Sequence, residues 1–566
     1  MKNKKSLAIL FFISLFALGL RLYKIESLPS FHADEADFAN NAYSILKTGR
    51  DQDGNFLPLG TTSVGDLRPA FYVYLAAGTI KIFGFNEFGT RLPSVIFSVL
   101  TVILLYFLTF ELFKDKRVAL LSSFLLSVSF WHLTLSREAS EKIVALFLVT
   151  AGIFAIYRFL HTEKIKHLLF SVALFFVSIH TYYAPRFFLL AFLPVVFLLF
   201  QKKLSRKNKL KAASIFAIFC GITIFFTFFY SNSTERIRQL FIFNHPQNVS
   251  LLGEQISEDG AKGSIFLTRV FHNKVVAFAF TALDNYLSYF SHRFLFLSGG
   301  FPERVRVPNV GLFNLFEAPF LLIGLYLLLN RLKAKHQAEL LIFFWWLLAA
   351  FVPTAFTFDE IPNVYRTVLA LPPLIMIISY GAIACLPHLR RSKVLKLAVP
   401  VYLLGYAWFF IYFCHQYLVH YQVHQPWFRN YAQKILAQTI QSDYSDAKLV
   451  IVPELYGGVE QMFRFYLKFD PALYQKQRLS MEKSRQRLGN IQFTPEICPF
   501  RKLIQEGGYK NSADYVFVNA PECHSKWLKK TDTVDKTIYW RDGLPAYEII
   551  KGSNELPEKV SQQSEN

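Results

Sequence analysis

Acids and bases of this chain stand at the borders of its hydrophobic segments. Residues 31–37 read Phe31-His32-Ala33-Asp34-Glu35-Ala36-Asp37, directly after the first apolar run. A second acid and a base follow in Gly65-Asp66-Leu67-Arg68-Pro69-Ala70-Phe71-Tyr72. A carboxylate held at a membrane edge can take a proton from a hydroxyl, and an arginine offers the forked donors that suit a phosphate. Placed where polar chemistry meets lipid, these residue types fit an enzyme whose donor is lipid-linked.

The elements that must position them are membrane helices. The chain has 566 residues, 53% hydrophobic, with 61 Phe and 28 Tyr and only 18% charged residues, where an average soluble domain carries about 25%. The net charge of +21 would suit nucleic acid, but Lys and Arg are scattered in short clusters between apolar runs. An orientation signal explains that scatter better. With about 20 apolar residues per crossing, eleven spans are expected, near 6–22, 91–112, 118–133, 142–160, 167–183, 186–200, 212–231, 312–330, 338–356, 367–387 and 397–416. The stretch 69–84 is short and interrupted by Gly78 and Lys81, so it reads as an interfacial helix.

Basic clusters alternate along these spans. Lys2, Lys4 and Lys5, the run Lys202–Lys211, and Arg390, Arg391, Lys393 and Lys396 belong to loops on one side, whereas Arg137, Lys142, Arg186 and Arg366 stand on the other. The bias puts the N-terminus in the cytoplasm and the C-terminal region outside, and makes each outer cation a candidate for function. The first apolar run lacks a small-residue cleavage pattern and is expected to be retained.

Two further regions are too polar to span. Residues 232–311 suit a long outer loop with surface helices, as residues 23–90 suit a first outer loop. Residues 424–552 read as a small α/β domain, with buried strands at 449–453 and 515–518 and a hairpin turn at Arg541-Asp542-Gly543; the polar tail 553–566 is expected to be disordered. Cys220, Cys385 and Cys414 fall in apolar helices. Cys498 and Cys523 share the outer domain and are either joined in a disulfide, if the exterior is oxidising, or two buried thiols. No cysteine pair has metal-ligand spacing.

Together the motifs resemble a family. The acidic pair after the first span, the Gly-Asp-x-Arg-Pro signal, Gly89-Thr90-Arg91-Leu92-Pro93-Ser94, Ser136-Arg137 and Tyr182-Tyr183-Ala184-Pro185-Arg186 are similar in order and spacing to the multi-spanning GT-C glycosyltransferases. Within these the chain resembles bacterial relatives of dolichyl-phosphate-mannose protein mannosyltransferases and of lipid A aminoarabinose transferases, the family 39-like group. The resemblance implies a helical GT-C domain over 1–420 and transfer of a sugar from a polyprenyl-phosphate carrier to a protein, lipid or envelope glycan at the outer face. It also implies that Asp34 and Glu35 carry the family's first-loop carboxylates, and that Glu141 is the acid that follows the Ser-Arg turn. Where the family often has Lys-Pro-Pro-Leu-Tyr, this chain has Arg68-Pro69-Ala70-Phe71-Tyr72, keeping the charge and losing one proline.

A lipid phosphate leaves as a stable anion, so such a transfer needs one base and a cationic clamp rather than a general acid. Asp34 is the expected base, Glu35 its support or a helix cap, and Arg68, Arg137, Arg186 and Arg366 the expected clamp; attack opposite the leaving group would invert the anomeric centre. Asp66 is open to two readings, a site acid or a charge favouring a helix dipole. Glu138 and Glu141 admit the same dipole reading, and Asp37 is read as solvated. His180 and Tyr183 are either substrate ligands or interfacial anchors. No cofactor is demanded; a divalent cation held by the paired carboxylates, with His32 assisting, belongs to a competing reading as an oligosaccharyltransferase or glycan ligase. A transporter or flippase would place ionisable residues at mid-helix depth, and these spans are nearly free of them. A scaffold for an envelope complex is a third reading. Membrane lipids are expected partners, and nucleic acid is not.

Overall fold

A computed structural model describes residues 2–63, 66–230, 241–244, 246–260, 263–335, 338–391, 393–480, 487–500, 502, 514–523 and 534–552. The tail 553–566 lies outside these residues. Each of the eleven apolar segments corresponds to a helix. Among the described residues nine are long and apolar enough to cross a membrane, from Lys4–Leu22 to Leu397–Val423. The expected span 118–133 is a pair, Lys116–Val128 and Phe130–Ser136, bent by 54°. Ser129 makes the break: its backbone leaves the helical region, and its hydroxyl accepts from the His132 N–H to start the next helix. The expected span 167–183 is shorter than foreseen, a helix of 15 residues, Ile165–Ile179. Its chain turns at His180, and Pro185 then opens the helix Ala184–Phe200 in the first turn, where a proline costs no hydrogen bond. Residues Phe71–Phe83 form a 13-residue helix, too short to cross.

The chain divides into two compact units. One holds the residues up to Tyr23, Asp66–Tyr72 and Pro93–Tyr417; the other holds Lys24–Gly65, Val73–Leu92 and the residues from Leu418 on. The first is built on a continuous apolar core that includes Trp131, Tyr157, Phe175, Phe188 and Trp346. Its helices Ala318–Lys335 and Leu371–Arg391 meet backbone to backbone. A Cβ on Gly324 would meet the Ile377 carbonyl oxygen at 2.1 Å and one on Gly381 the Phe320 oxygen at 2.2 Å, so only glycine allows the approach.

The second unit contains a six-stranded sheet in the order β4-β5-β3-β6-β8-β7. Its strands are β3 (Leu449–Pro453), β4 (Arg487–Leu488), β5 (Ile491–Thr494), β6 (Tyr515–Asn519), β7 (Val534–Tyr539) and β8 (Pro545–Lys551); β1 (Gly60–Ser63) and β2 (Asp66–Pro69) come earlier in the chain. β3 pairs in parallel with β5 and β6, and β8 is antiparallel to β6 and β7 across the expected turn. At the carboxyl end of β3, Glu454 accepts from the Val459 N–H at 2.8 Å, so the chain's own carboxylate caps the helix Val459–Tyr466. Cys498 and Cys523 are joined in a disulfide, with 5.5 Å between their Cα atoms.

The domain boundary expected near residue 420 divides the chain differently from this grouping, because the first outer segment is part of the second unit. The helix Ala33–Thr48 buries ten of its residues, polar ones included. Phe31 stacks on Phe465 at 4.6 Å and Tyr43 on Phe85 at 4.3 Å, while the Asn40 amide donates to the Gln461 carbonyl at 2.9 Å.

Candidate functional site

The acidic motif opens a helix. His32 is the N-cap of Ala33–Thr48, and Asp34 and Glu35 occupy its first turn, where negative charge is favoured. Glu35 is fully buried: it accepts from the His32 N–H at 3.3 Å and from Arg91 Nε and Nη2 at 2.7 and 2.5 Å. Arg91 spends its other donors on the carbonyls of Ile25, Pro29 and Ser30. This bidentate pair fixes the loop that precedes the helix. Asp34, one residue earlier, is half-buried. Asp37 is 1% exposed and takes part in a polar chain in which Gln52 donates to Asp37 and Arg464 donates to Gln52; the solvated reading of Asp37 is corrected by that burial.

Three of the four expected clamp arginines hold backbone or loop oxygens. Arg137 donates to the carbonyls of Leu20, Arg21 and Tyr23, the orphan acceptors at the end of the first helix. Arg186 donates to the carbonyls of Ile179 and Phe226 at 2.9 Å each. Arg366 donates to Thr357 Oγ1 at 3.0 Å and to the Asp359 carbonyl at 2.7 Å. Their donors serve chain ends and turns.

Arg68 is different. It lies half-buried on β2, and β2 is fixed from two sides. On one side the Tyr183 hydroxyl donates to the Leu67 carbonyl and the Phe71 N–H donates to the His180 carbonyl. On the other, Tyr72 and Ser94 share a hydrogen bond of 3.0 Å, and Ser94 Oγ accepts from the Ser140 N–H at 2.8 Å. Ser140 immediately precedes the helix Glu141–Thr162. His180 and Tyr183 therefore position the Arg68 strand, Tyr183 through its hydroxyl and His180 through its backbone. Asp66 opens β2, and its side chain is outside what the structure describes.

At the start of that helix, Lys142, one of the outer cations singled out in the sequence, stands in a cluster with Tyr365, Tyr182 and Glu141. Lys142 Nζ lies 4.3 Å from the ring centre of Tyr365, 5.7 Å from that of Tyr182, and 2.8 Å from Glu141. Arg304 meets the same ring: its guanidinium is 5.6 Å from the Tyr365 centre, and its Nε donates to the Tyr365 hydroxyl at 3.3 Å. A lysine in a helix's first turn opposes the dipole, so its placement between two tyrosines and a glutamate needs a compensating use. The arrangement joins two cations and two phenols, a set able to hold a phosphate. The sequence signal was available, since Tyr182 neighbours Tyr183, Tyr365 precedes Arg366 and Lys142 follows Glu141. Arg304, inside the long polar segment, had none. Among the described residues no three His, Cys, Asp or Glu side chains gather as a metal-holding group.

Residues 67–230 match the dolichyl-phosphate-mannose-protein mannosyltransferase family. An uncharacterized protein of Aquifex aeolicus (strain VF5) is 30% identical over 158 residues, which is 28% of this chain and 30% of that protein, so the match spans under a third of the relative's length. The structure of ArnT from Cupriavidus metallidurans bound to undecaprenyl phosphate has a TM-score of 0.53 at 13% identity, covering 98% of this chain and 99% of that one. The oligosaccharyltransferase AglB from Archaeoglobus fulgidus, in complex with an inhibitory peptide and a dolichol-phosphate, has a TM-score of 0.50 at 14% identity, over 82% of this chain and 64% of that one. The family match thus covers residues 67–230, and over nearly its whole length the chain shares the fold of ArnT.

Proposed function

We propose that the protein transfers a sugar from a polyprenyl-phosphate donor to an acceptor at the outer face of a cell membrane, with inversion at the anomeric carbon. The observation that carries this reading is the group of Lys142, Arg304, Tyr182 and Tyr365. Together with Arg68 on β2, it is the proposed seat of the donor phosphate. As the phosphate leaves, negative charge develops on its bridging oxygen, and fixed cations and phenol donors stabilise that charge. Asp34 is the proposed general base, taking the acceptor hydroxyl's proton while Glu35, committed to Arg91, keeps the helix start in place. Glu141 is proposed to orient Lys142.

The N-terminus is proposed to be cytoplasmic, with residues 1–420 as the catalytic membrane domain and 424–552 as an external domain, because the basic loops favour that orientation. A reporter fused after Gln422 should then act as external; activity only in the cytoplasm would reverse the assignment.

The test of the activity is direct. Purified protein is incubated with labelled polyprenyl-phosphate sugars and membrane extract. Label should move to an acceptor in step with release of polyprenyl phosphate, and the product anomer should be opposite to the donor's. A preassembled glycan used in preference to a single sugar would favour the ligase reading, and intact donor relocated across the bilayer without transfer would overturn the proposal.

A further inference from the structure

The first turn of the helix Ala33–Thr48 has donors that no carbonyl of the helix can reach. Two of them are served from within the turn: the His32 N–H donates to Glu35 Oε1 at 3.3 Å, and the Glu35 N–H donates to the His32 carbonyl at 3.0 Å. The Ala33 N–H is served from far away. It donates to Asn430 Oδ1 at 3.1 Å, across 397 positions of the chain. That bond enters the turn one residue before Asp34.

Asn430 is suited to hold it. It is 6% exposed, and its φ of +50° lies in the left-handed region, which asparagine tolerates better than most residues. Both ends of its amide are in use: while Oδ1 accepts from Ala33, Nδ2 donates to the Gly457 carbonyl at 3.1 Å. The amide thus has one orientation, and it ties the helix start to the loop that follows β3. The next residue of that loop meets the same spot. Gly458 has φ +75°, and a Cβ on it would stand 2.1 Å from the Ala33 Cβ, so only glycine lets the loop come so close. Glu454 closes the loop by accepting from the Val459 N–H at 2.8 Å. All of these residues belong to the second unit.

A general base must stand within hydrogen-bond reach of the proton it takes, and a misplacement of about 1 Å can cost about 100-fold in rate. Glu35, bonded to Arg91, holds the first turn one residue after Asp34. Asn430 and Gly458 hold it one residue before. We propose that Asn430 and Gly458 are positioning residues for the transfer reaction: they set where Asp34 stands, and through them the C-terminal domain takes part in catalysis. The proposal rests on the reading of Asp34 as the general base.

The test uses purified full-length protein with labelled polyprenyl-phosphate sugar and membrane extract. Asn430→Gly keeps the left-handed backbone and loses both amide bonds. Turnover at saturating donor should fall about tenfold with the donor KM unchanged. In an Asp34→Asn background the same change should cost nothing further, because a base that is absent cannot be misplaced. Gly458→Ala should lower turnover in the same way, and Ala33→Gly, which removes the atom that the new Cβ strikes, should restore most of it. A folded Asn430→Gly protein with wild-type turnover, a raised donor KM in place of lowered turnover, or an equal loss with and without the Asp34 carboxylate would each overturn the proposal. Near-normal turnover in Asp34→Asn would remove the base reading and the proposal with it; a loss in Asp34→Asn with none in Asn430→Gly would remove the positioning alone.

Discussion

Glu35 with Arg91 and Lys142 with Tyr365 are two charged groups with opposite designs. In the first, a fully buried carboxylate meets two guanidinium donors while the same arginine caps three carbonyls. In the second, an ammonium and a guanidinium face the same phenol ring, and the ammonium lies 2.8 Å from Glu141. A carboxylate and an arginine bonded to each other hold the chain; two cations gathered at one phenol are the group proposed to hold a phosphate. Sequence motifs do not distinguish the two, since Arg137, Arg186 and Arg366 look like ligands and serve as caps.

The sharpest way to break the comparison is to cut the saturated pair. Arg91→Leu leaves Glu35 charged and buried and removes the cap on three carbonyls, which should cost about 3–5 kcal/mol. Thermal unfolding should show a large drop, and the double variant Arg91→Leu with Glu35→Leu should recover part of it. If Arg91→Leu unfolds like the wild type, the pair is not a staple.

The neighbouring acid should behave in the opposite manner. Asp34→Asn keeps shape and most hydrogen bonding but cannot accept a proton, so transfer should fall about 100-fold or more with no change in unfolding. Donor binding should persist. Near-normal turnover in a folded Asp34→Asn protein would remove Asp34 from the mechanism and shift attention to Asp66.

The open group should give an intermediate result. Lys142→Met removes one of several cations that would share the phosphate, and should reduce donor use about tenfold while leaving a residual rate; Lys142→Arg should restore part of it. Arg186→Met should instead lower stability, because Arg186 is bonded to the carbonyls of Ile179 and Phe226. Equal kinetic losses from both would erase the distinction between seat and cap.

How far the sequence carried this reading follows from the range of each signal. Hydropathy located the nine helices that, among the described residues, are long and apolar enough to cross, since a crossing is encoded in one contiguous run, but not the bend at Ser129 or the early end of Ile165–Ile179. Alternation and turn residues located β3, β6 and the β7–β8 hairpin for the same reason. The grouping of Ala33–Thr48 with the sheet was not legible, because it depends on Phe31 meeting Phe465 and Asn40 meeting Gln461 across more than four hundred positions. The fate of each arginine was hidden in the same way. A guanidinium's partners are backbone carbonyls, which leave no trace in residue type.

A further expected effect lies in the sheet. Glu454 lies half-buried near Glu460, and loss of solvation, more than that neighbouring charge, pushes its carboxyl up to about 7, although N–H groups at the start of the following helix pull it down. The folded state therefore holds a proton that the unfolded chain, with an ordinary carboxyl near 4.5, releases earlier. The sign follows from the raised value: stability from this group is fully present below about 4.5 and is lost as pH rises through about 7. Between pH 5 and pH 8 the loss should be on the order of 2 kcal/mol. Glu454→Gln keeps an oxygen to accept from the Val459 N–H and cannot ionise, so its unfolding midpoint should decline less than the wild type's over that range. Parallel declines in the two proteins would mean that Glu454 is ionised throughout, and that the carboxylate capping Val459–Tyr466 is as saturated as Glu35.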